Sequence, residues 1–324
     1  MLRKFSKPEV VLSKCLGFEY CRYNGLIISS EIVDKLTHFV NVHTVCPEIE
    51  IGLGVPRDPV RIVDVGKNLR LMQPASGVDV TEDIMLFSKS FLDSIEEVDG
   101  FILKSRSPTC GIKDVKVYSS MNKGSAIKKT YGFFGHEVLK RYPNAVVEDE
   151  GRLRNFRIRE HFLSKLFTLS SFKKLKNSES INSLIKFHTN NKFLFMAYNQ
   201  NELRILGRIV ANKEKRPYIE VIADYEKHLI NLFSRIPRNT SNINVLMHGL
   251  GYFSKSLSFK EKAFFLDSME MYRNGKVPLS VPLNIMKSWI IRFDNEYLMK
   301  QSFFMPYPEE LMEITDSGKG RDYK

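Results

Sequence analysis

Cysteine is the residue type in this sequence with the clearest potential for chemistry. All four cysteines precede residue 111 of a 324-residue chain: Cys15, Cys21, Cys46 and Cys110. No two of them have C-x-x-C spacing, which argues against a zinc ribbon or a thioredoxin-like redox pair. Gly, Pro or Ser and cationic residues lie near each one, and thiolates in such loops suit a metal site or a reactive thiol. Burial as a small apolar residue is the alternative, because free cysteine is often found in cores.

Basic and hydroxyl-bearing side chains share the segments that hold the cysteines, and we expect them to contact a substrate. They are Arg22, Tyr23, Arg57, Lys104 and Ser107. Four cysteines in a chain of this length are too few for a secreted disulfide framework. The basic start of the chain has too short an apolar stretch for a signal peptide. We therefore expect reduced thiols in a cytoplasmic protein.

The first half of the chain alternates strand-like and helix-like segments. Strand patterns cover Glu9–Lys14, Phe39–Val45, Arg61–Val65 and Gly100–Lys104, and helical spacing covers Val80–Ile95 and Phe133–Arg141. This alternation predicts an α/β fold with a Rossmann-like, doubly wound parallel sheet. Such sheets bind ligands beyond the carboxyl ends of their strands. Cys15 and Cys46 directly follow predicted strands and Cys110 follows another by six residues, so we expect these three cysteines to converge on one sheet edge.

The second half of the chain carries almost no strand signal and is predicted to be an all-helical domain. Its helical segments are Leu153–Leu169, Ile181–Tyr198, Glu202–Val210, Tyr218–Ser234, Val245–Ser254, Phe259–Asn274 and Val281–Phe293. We place the two domains at 1–150 and 151–324, with a polar hinge at Val147–Leu153. Ser317–Lys324 is expected to be frayed.

The excess of basic residues is confined to one half of the chain, just as the cysteines are confined to the other. Residues 1–150 hold 20 Lys and Arg against 20 Asp and Glu, whereas residues 151–324 hold 29 against 17, a net charge of +12. An excess confined to one domain favours a polyanionic partner such as RNA. Arginines at 152, 154, 157 and 159 are predicted to spread around the surface of a helix. We expect RNA contacts from Arg154, Arg157, Lys173, Lys174 and Lys176.

Three cysteine-bearing motifs resemble, in order and spacing, those of the TudS-type thiouracil desulfidases. They are Cys15–Gly17 with Cys21–Gly25, Cys46–Glu48 with Gly52–Arg57, and Lys104–Gly111, and Asp79–Thr81 matches a further short motif of the family. Residues 151–324 resemble the YbgA-like helical domain that is often fused behind it, for example in Asn244–Phe253 and Tyr272–Pro278. The fusion is similar to RudS-type desulfidases, which act on thiolated tRNA. One departure is Leu16-Gly17, where the family often has two leucines before the glycine.

The resemblance implies a [4Fe-4S] cluster held by Cys15, Cys46 and Cys110, with one iron left open. An open iron can bind the exocyclic sulfur of a thiolated base and polarise the C–S bond as a Lewis acid. Glu48 is then the expected base that activates water, and Ser107 is expected to protonate or hydrogen-bond the base or the leaving sulfur. A turn hydroxyl before Pro108 is the alternative role of Ser107. The role of Cys21 stays open.

Three hypotheses of function compete. The first is non-redox hydrolysis of 4-thiouridine in tRNA to uridine, with release of sulfide. The second is the same chemistry on free thiouracil or another thiolated base or nucleoside. The third is a non-enzymatic, metal-stabilised RNA-binding protein. No P-loop or dinucleotide-binding fingerprint occurs in the sequence, and no run of eighteen apolar residues, so we expect no nucleotide cofactor and no membrane.

Overall fold

The computed structural model describes residues 3–66, 68–122 and 124–313, and it divides them into two compact units. One unit comprises residues 6–170 with 310–313, and the other comprises residues 171–309 with 3–5. The segment Ser317–Lys324, expected to be frayed, lies outside the described residues.

The first unit alternates strands with helices, as the sequence predicts. In chain order the elements are β1 (Glu9–Ser13), α1 (Glu31–Leu36), β2 (Asn41–Val45), α2 (Pro47–Glu50), β3 (Arg61–Val65), β4 (Asn68–Gln73), β5 (Val78–Asp79), α3 (Thr81–Ser94), β6 (Gly100–Leu103), β7 (Val115–Tyr118), β8 (Lys128–Thr130), α4 (Phe133–Arg141), β9 (Val146–Asp149) and the first two thirds of α5 (Phe156–Lys176).

A four-stranded parallel sheet forms the centre of this unit. Its strand order is β2-β1-β6-β9, and every neighbouring pair is parallel. The chain first moves outward from β1 to β2 and then returns to the other side of β1 with β6. The reversal between β1 and β6 is a topological switch point, and the loops that leave the carboxyl ends of these two strands diverge there to open a crevice.

Helices cover both faces of the parallel sheet, which confirms the doubly wound fold. On one face, Phe101 and Leu103 of β6 pack with Leu92 of α3 and with Phe134 of α4. The opposite face of the same strand begins at Gly100, where an added Cβ would lie 2.9 Å from a methyl group of Leu166 in α5. Leu166 is fully buried, so the first part of α5 belongs to the core of this unit.

A second, mixed sheet was not foreseen from the sequence. Its strand order is β5-β4-β3-β7-β8, with β3 antiparallel to β4 and parallel to β7. The strand predicted at Arg61–Val65 is present, but it belongs to this sheet and not to the parallel one. Side-chain alternation identifies a strand without identifying its hydrogen-bonded neighbours, which explains the difference.

The hinge predicted at Val147–Leu153 is wrong. Val147–Asp149 lies within β9, where Val147 pairs with Phe101 and Asp149 pairs with Leu103 of β6. A short 3₁₀ helix at Arg152–Arg154 follows, and α5 covers Phe156–Lys176. The polar residues and the single glycine of this segment accompany the end of a strand and not a linker between domains.

The second unit is all-helical, as expected. After α5 its helices are α6 (Ile181–Tyr198), α7 (Gln200–Ala211), α8 (Tyr218–Leu232), α9 (Asn239–Gly251), α10 (Phe259–Arg273), α11 (Ser280–Arg292) and α12 (Glu296–Met299). None of the helices in the described part of the chain is long and apolar enough to cross a membrane.

The division of charge holds for the two compact units as well as for the predicted domains. Residues 6–170 with 310–313 hold 23 basic and 23 acidic residues, a net charge of zero, whereas residues 171–309 hold 21 basic against 12 acidic, a net charge of +9.

One of the arginines that were expected at the surface of a helix is buried. Arg159 is 2% exposed, and its guanidinium donates to the carbonyl oxygens of Leu153 and Glu313, so it is a structural residue.

Candidate active site

The four cysteines lie together at the carboxyl edge of the parallel sheet. Cys15 follows β1 by two residues, Cys46 follows β2 directly and precedes α2, and Cys110 lies in the loop after β6. Cys21 is in the same loop as Cys15. Cys15, Cys21 and Cys110 are buried and Cys46 is partly buried, and all four are free thiols. The predicted convergence of three cysteines is therefore present, and it includes the fourth.

Contacts between the thiols join the loop after β1 to the loop after β2. The Cys21 thiol lies within hydrogen-bonding reach of both the Cys15 and the Cys46 thiols, and the Cys46 Sγ atom is 3.8 Å from the Cys21 carbonyl oxygen. The Cys110 thiol lies within reach of the hydroxyl groups of Ser13 and Ser107. Among the described residues, no group of three or more Cys, His, Asp or Glu is arranged to hold a metal ion.

The environments of Cys21, Cys46 and Cys110 favour neutral thiols. Hydrogen bonding to the Cys15 thiol, reinforced by burial, raises the pKa of Cys21 to about 11. Hydrogen bonding to the Cys21 thiol and burial raise the pKa of Cys46, and burial raises the pKa of Cys110. Uncharged thiols can pack closely in the absence of a cation, whereas a bound metal deprotonates a coordinating thiol outright. Cysteine thiolates are the ligands that iron–sulfur clusters take, so this donor set fits such a cluster.

The loop that carries Cys110 is fixed to the first turn of α4. The N–H groups of Gly132, Phe133 and Gly135 donate to the carbonyl oxygens of Gly111, Pro108 and Thr109, at 2.7, 3.2 and 3.1 Å. A Cβ atom at Gly135 would lie 2.5 Å from the Gly111 oxygen and 2.7 Å from the Cys110 oxygen. Only glycine permits this approach of two backbones, and the approach sets the position of Cys110.

Glu48 lies in α2 and is held by two partners. Its Oε2 atom accepts from Nε and Nη2 of Arg57, at 3.0 and 2.5 Å, and its Oε1 atom accepts from the Thr109 hydroxyl at 2.8 Å. The two charged side chains are only 4% and 13% exposed. Arg57 also donates to the carbonyl oxygens of Cys21 and Gly54. The guanidinium therefore joins the loop of Cys21 to the carboxylate, and its predicted role as a substrate contact stays a prediction.

Ser107 occupies a turn position. Its Oγ atom accepts from the N–H groups of Thr109 and Cys110, at 3.2 and 3.0 Å. This is the arrangement expected of a turn hydroxyl. The same oxygen is near the Cys110 thiol, so the turn places a hydroxyl group beside the cysteines. A role in proton transfer stays a prediction.

The remaining predicted substrate contacts are dispersed. The Lys104 ammonium group binds the Glu150 carboxylate at 2.5 Å, and that carboxylate also accepts from the Ser105 N–H and hydroxyl groups. Arg22 lies over the ring of Tyr23, with 5.7 Å between the guanidinium carbon and the ring centroid. Tyr23 is 41% exposed. Lys104 thus ties β6 to the end of β9, while Arg22 and Tyr23 remain at the surface.

The residues expected to contact RNA have mixed environments. Lys176 is paired with Glu226 at 2.7 Å. Lys174 and Arg154 are exposed, and Lys173 and Arg157 are partly buried. Their contact with RNA stays a prediction.

Sequence reasoning missed Ser13, Thr109 and Glu150. The Ser13 hydroxyl accepts from the Lys104 N–H at 2.9 Å and joins the ends of β1 and β6. Thr109 orients Glu48, and Glu150 neutralises Lys104. Ser13 could have been found as a polar residue ending an otherwise apolar strand. The hydrogen bonds of Thr109 with Glu48 and of Glu150 with Lys104 join residues that are 61 and 46 positions apart in the sequence. No local sequence pattern reveals such pairs.

Comparison with known proteins identifies relatives of both halves. A family described as 2-thiouracil desulfurase matches residues 10–150, and a family described as protein of unknown function DUF1722 matches residues 192–308. The uncharacterized protein YbgA of Escherichia coli strain K12 is 27% identical over 158 residues, which are 48% of this chain and 93% of YbgA. The uncharacterized protein YbbK of Bacillus subtilis strain 168 is 37% identical over 109 residues, 32% of this chain and 72% of YbbK.

A solved structure is also similar to part of the chain. It is the [4Fe-4S]-dependent thiouracil desulfidase TudS, with 25% identity, a TM-score of 0.36, and coverage of 45% of this chain and 93% of that protein. The match to residues 10–150 and the similarity to YbbK establish that this chain belongs to the 2-thiouracil desulfurase family, to which it adds a DUF1722 domain.

Proposed function

We propose that this protein is an iron–sulfur-dependent desulfidase that hydrolyses 4-thiouridine in tRNA to uridine. The observation that carries the proposal is the meeting of four thiols and the Glu48 carboxylate at the carboxyl edge of the parallel sheet. Membership of the 2-thiouracil desulfurase family supports the reaction class. The overall reaction converts a thiocarbonyl group and water into a carbonyl group and hydrogen sulfide, so it needs no oxidant or reductant.

Cys15, Cys46 and Cys110 are the proposed ligands of a [4Fe-4S] cluster. They come from three different loops, whereas Cys21 shares a loop with Cys15 and is bracketed by the Cys15 and Cys46 thiols. When bound by these three cysteines, such a cluster would supply Lewis-acid chemistry for the C–S bond of the substrate. Cys21 is then a neighbour that packs against the ligands.

Glu48 is the proposed general base. Its Oε1 atom accepts one hydrogen bond from Thr109 and keeps a second lone-pair site for a water molecule. The Arg57 guanidinium binds the other carboxylate oxygen and so fixes the orientation of the carboxylate, with Oε1 turned away from the guanidinium. Glu48 takes a proton from the attacking water at Oε1, and the Ser107 hydroxyl donates a hydrogen bond to the departing sulfur or to the base.

The helical unit is proposed to recruit the tRNA. Its net charge of +9 over residues 171–309 contrasts with zero in the unit that holds the cysteines. Attraction of phosphates to Lys and Arg supplies most of the sequence-independent affinity for RNA. A thiolated base stacked within folded tRNA has to leave its stack before the sulfur can reach the cysteines.

A free thiolated base or nucleoside is the second candidate substrate. The electrically neutral cysteine unit favours it, because such a unit has no excess charge with which to attract a polyanion. The two candidates share the proposed chemistry and differ in the role of the helical unit.

The test is anaerobic reconstitution of the full chain with iron and sulfide, followed by incubation with tRNA that contains 4-thiouridine. We expect conversion to uridine by mass spectrometry of the nucleosides, with an equal amount of sulfide released. Turnover of 4-thiouridine nucleoside with none of the tRNA would favour the second candidate. Absence of sulfide release from any thiolated uracil by an iron-loaded sample would overturn the desulfidase proposal and favour a non-enzymatic RNA-binding protein.

A further inference from the structure

Three aromatic rings meet at the surface of the helical unit, and we call His248, Tyr252 and Tyr297 the aromatic platform. His248 lies in the last turn of α9, Tyr252 follows α9 directly, and Tyr297 lies in α12. The two tyrosine rings are stacked, with 18° between their planes and 5.7 Å between their centroids. The His248 centroid is 5.9 Å from that of Tyr252. Tyr252 is 45% exposed and His248 is exposed, so the platform faces solvent.

The platform packs on Phe193 of α6, which is fully buried. The centroids of the three platform rings, in chain order, lie 5.3, 6.2 and 6.1 Å from that of Phe193. The Gln301 Oε1 atom accepts from the Phe193 N–H at 3.1 Å, and its Nε2 atom donates to the Thr189 carbonyl oxygen at 2.8 Å. An α-helix joins those two backbone groups to each other. Gln301 therefore bridges two groups of the α6 backbone and ties the segment after α12 to the base of the platform.

A glycine sets the position of α9 beneath the platform. A Cβ atom at Gly249 would lie 3.2 Å from the terminal methyl group of Met286 in α11 and 3.8 Å from the Phe193 ring. The missing side chain lets α9 come close to both α6 and α11 at the residue that follows His248. The rings are thus held in place by buried groups although they are exposed themselves.

Exposed lysines lie close in sequence to each segment that carries a ring. They are Lys192 on α6, Lys255 after α9 and Lys300 after α12. Lys300 also pairs with Glu296 at 3.1 Å, with 61% and 79% of the two side chains exposed. Exposed pairs of this kind contribute little energy, so the ammonium group can bind another anion. The platform therefore combines stacked rings with positive charge, in a unit with a net charge of +9 over residues 171–309.

We propose that the aromatic platform stacks an unpaired base of the RNA, next to lysines that bind the flanking phosphates. Aromatic side chains bind bases of any sequence, because every base has a π-face. Two rings that are already nearly parallel offer the same arrangement to a third planar ring. The excess of basic residues favours a polyanion over a protein partner. The inference rests on the proposed recruitment of RNA by the helical unit, and it names unpaired nucleotides as the part of the RNA that this unit recognises.

Two ligands separate stacking from the attraction of phosphates. One is a single-stranded oligouridylate of about ten nucleotides, and the other is an abasic oligomer with the same number of phosphates. Both are titrated with the full-length protein by fluorescence anisotropy at one salt concentration. We expect oligouridylate to bind at least about 10-fold more tightly, because a base stacked on an aromatic ring is worth about one to two orders of magnitude in affinity. Tyr252→Leu should remove most of this difference and leave binding of the abasic oligomer within about 2-fold.

Three further variants test whether the rings of the platform are responsible. Tyr297→Leu should act as Tyr252→Leu does, whereas Tyr252→Phe keeps the ring and should keep the preference for oligouridylate. Phe264→Leu is the matched control: it removes an aromatic side chain that is 65% exposed on α10, outside the platform, and should keep the preference too. Equal affinities of the parent chain for the two ligands would overturn the proposal in favour of a protein partner. An equal loss on both ligands in Tyr252→Leu and Tyr297→Leu would also overturn it, because that loss reports a disturbed fold.

Kinetics distinguish failure of the platform from failure of the proposed function. The readout is the ratio of kcat/KM for tRNA that contains 4-thiouridine to that for the 4-thiouridine nucleoside. We expect Tyr252→Leu to lower this ratio about 10-fold and Phe264→Leu to leave it within about 2-fold. An unchanged ratio in an active Tyr252→Leu enzyme rejects the platform and keeps the desulfidase function. Absence of desulfuration, together with a preference for oligouridylate that depends on Tyr252, rejects the desulfidase function and keeps the platform.

Discussion

The two units of this protein differ in how their charged side chains are balanced. In the α/β unit, charges are neutralised pairwise close to the cysteines, as in the Glu48–Arg57 and Glu150–Lys104 pairs. Residues 171–309 of the helical unit hold 21 basic residues against only 12 acidic ones. A site that must hold and protonate a small group needs fixed partners, whereas a surface that attracts a polyanion needs a surplus of charge. The comparison teaches that the proposed chemistry and the proposed recruitment can be disturbed separately.

The largest expected effect is in the α/β unit. Cys15→Ala, Cys46→Ala and Cys110→Ala should each abolish the visible absorbance of the iron–sulfur cluster, because each variant removes one of three proposed ligands. Cys21→Ala is the matched control and should keep most of the bound iron. Iron analysis and visible spectra of anaerobically reconstituted samples make the measurement. Loss of iron in Cys21→Ala with retention in one of the other three would reverse the ligand assignment.

A smaller loss is expected when the carboxylate is changed without touching a ligand. Glu48→Gln should keep the cluster and lower kcat by about 10²–10⁴, the range that general base catalysis supplies. The amide keeps much of the shape of the carboxylate and removes its basicity. Single-turnover rates and the visible spectrum are the two measurements. A normal rate with a normal spectrum would leave Glu48 with only its structural pairing to Arg57.

A moderate effect, confined to RNA, is expected from the helical unit. Replacing Lys173 and Lys174 with Glu should raise the KM for tRNA about 10-fold and flatten the dependence of binding on salt, because fewer phosphates are neutralised. The matched control reverses Lys89 and Lys140, which are exposed in the α/β unit, and should change the KM little. Turnover of the free nucleoside should be the same in all three proteins. Equal losses on tRNA and nucleoside would show instead that the helical unit supports the site itself.

The smallest expected effect is on stability at acidic pH. Burial lowers the pKa of His161 and of His188 to about 4. Their folded pKa lies below the unfolded value of about 6.5, so each contributes stability above pH 6.5 that is lost as pH falls towards 4. From pH 7 to 5 each loss is about 1–2 kcal/mol. Burial raises the pKa of Asp149 to about 6, which has the opposite sign: protonation as pH falls through 6 relieves a buried charge.

The two units should therefore respond differently to acid. Asp149 belongs to the same unit as His161 and offsets part of its effect, whereas His188 lies in the helical unit, where its Nδ1 atom contacts the Tyr225 hydroxyl. Hydrogen exchange measured at pH 7 and pH 5 should reveal a larger loss of protection in the helical unit. Replacement of His188 by Gln should reduce the pH dependence there. A loss confined to the α/β unit would contradict these assignments.

Local patterns were sufficient to predict most of the fold. The predicted helices at Ile181–Tyr198 and Phe133–Arg141 have the same bounds in the structure, because an apolar face of period 3.6 is a local property. The second sheet was not predictable, since the pairing of β3 with β7 joins residues more than 50 positions apart. Phe172 directly precedes the Lys173–Lys174 pair in the sequence, and it packs on Tyr225 and Phe187 and is 2% exposed.

The candidate site, like the fold, was predictable from the sequence only in part. The clustering of Cys15, Cys46 and Cys110 followed from strand ends that share one edge of a sheet. The partners of Glu48 did not follow, because Arg57 appeared in the sequence as an independent cation and Thr109 as a neighbour of Cys110. Chain-distant hydrogen bonds decide which groups are already occupied, and only the folded arrangement reveals them. Sequence reasoning therefore identified the chemical groups better than their partners.

The close approach of α4 to the Cys110 loop limits how the chain length can vary. Ser107–Gly111 and Gly132–Gly135 are joined backbone to backbone, with no side chain between them to absorb an added residue. Residues 124–127, between β7 and β8, are exposed throughout and can lengthen without moving the cysteines. We expect related sequences to differ in length in the β7–β8 connection and to keep a constant number of residues from Ser107 to Gly111. A reporter peptide for following this protein in cells is best inserted in residues 124–127.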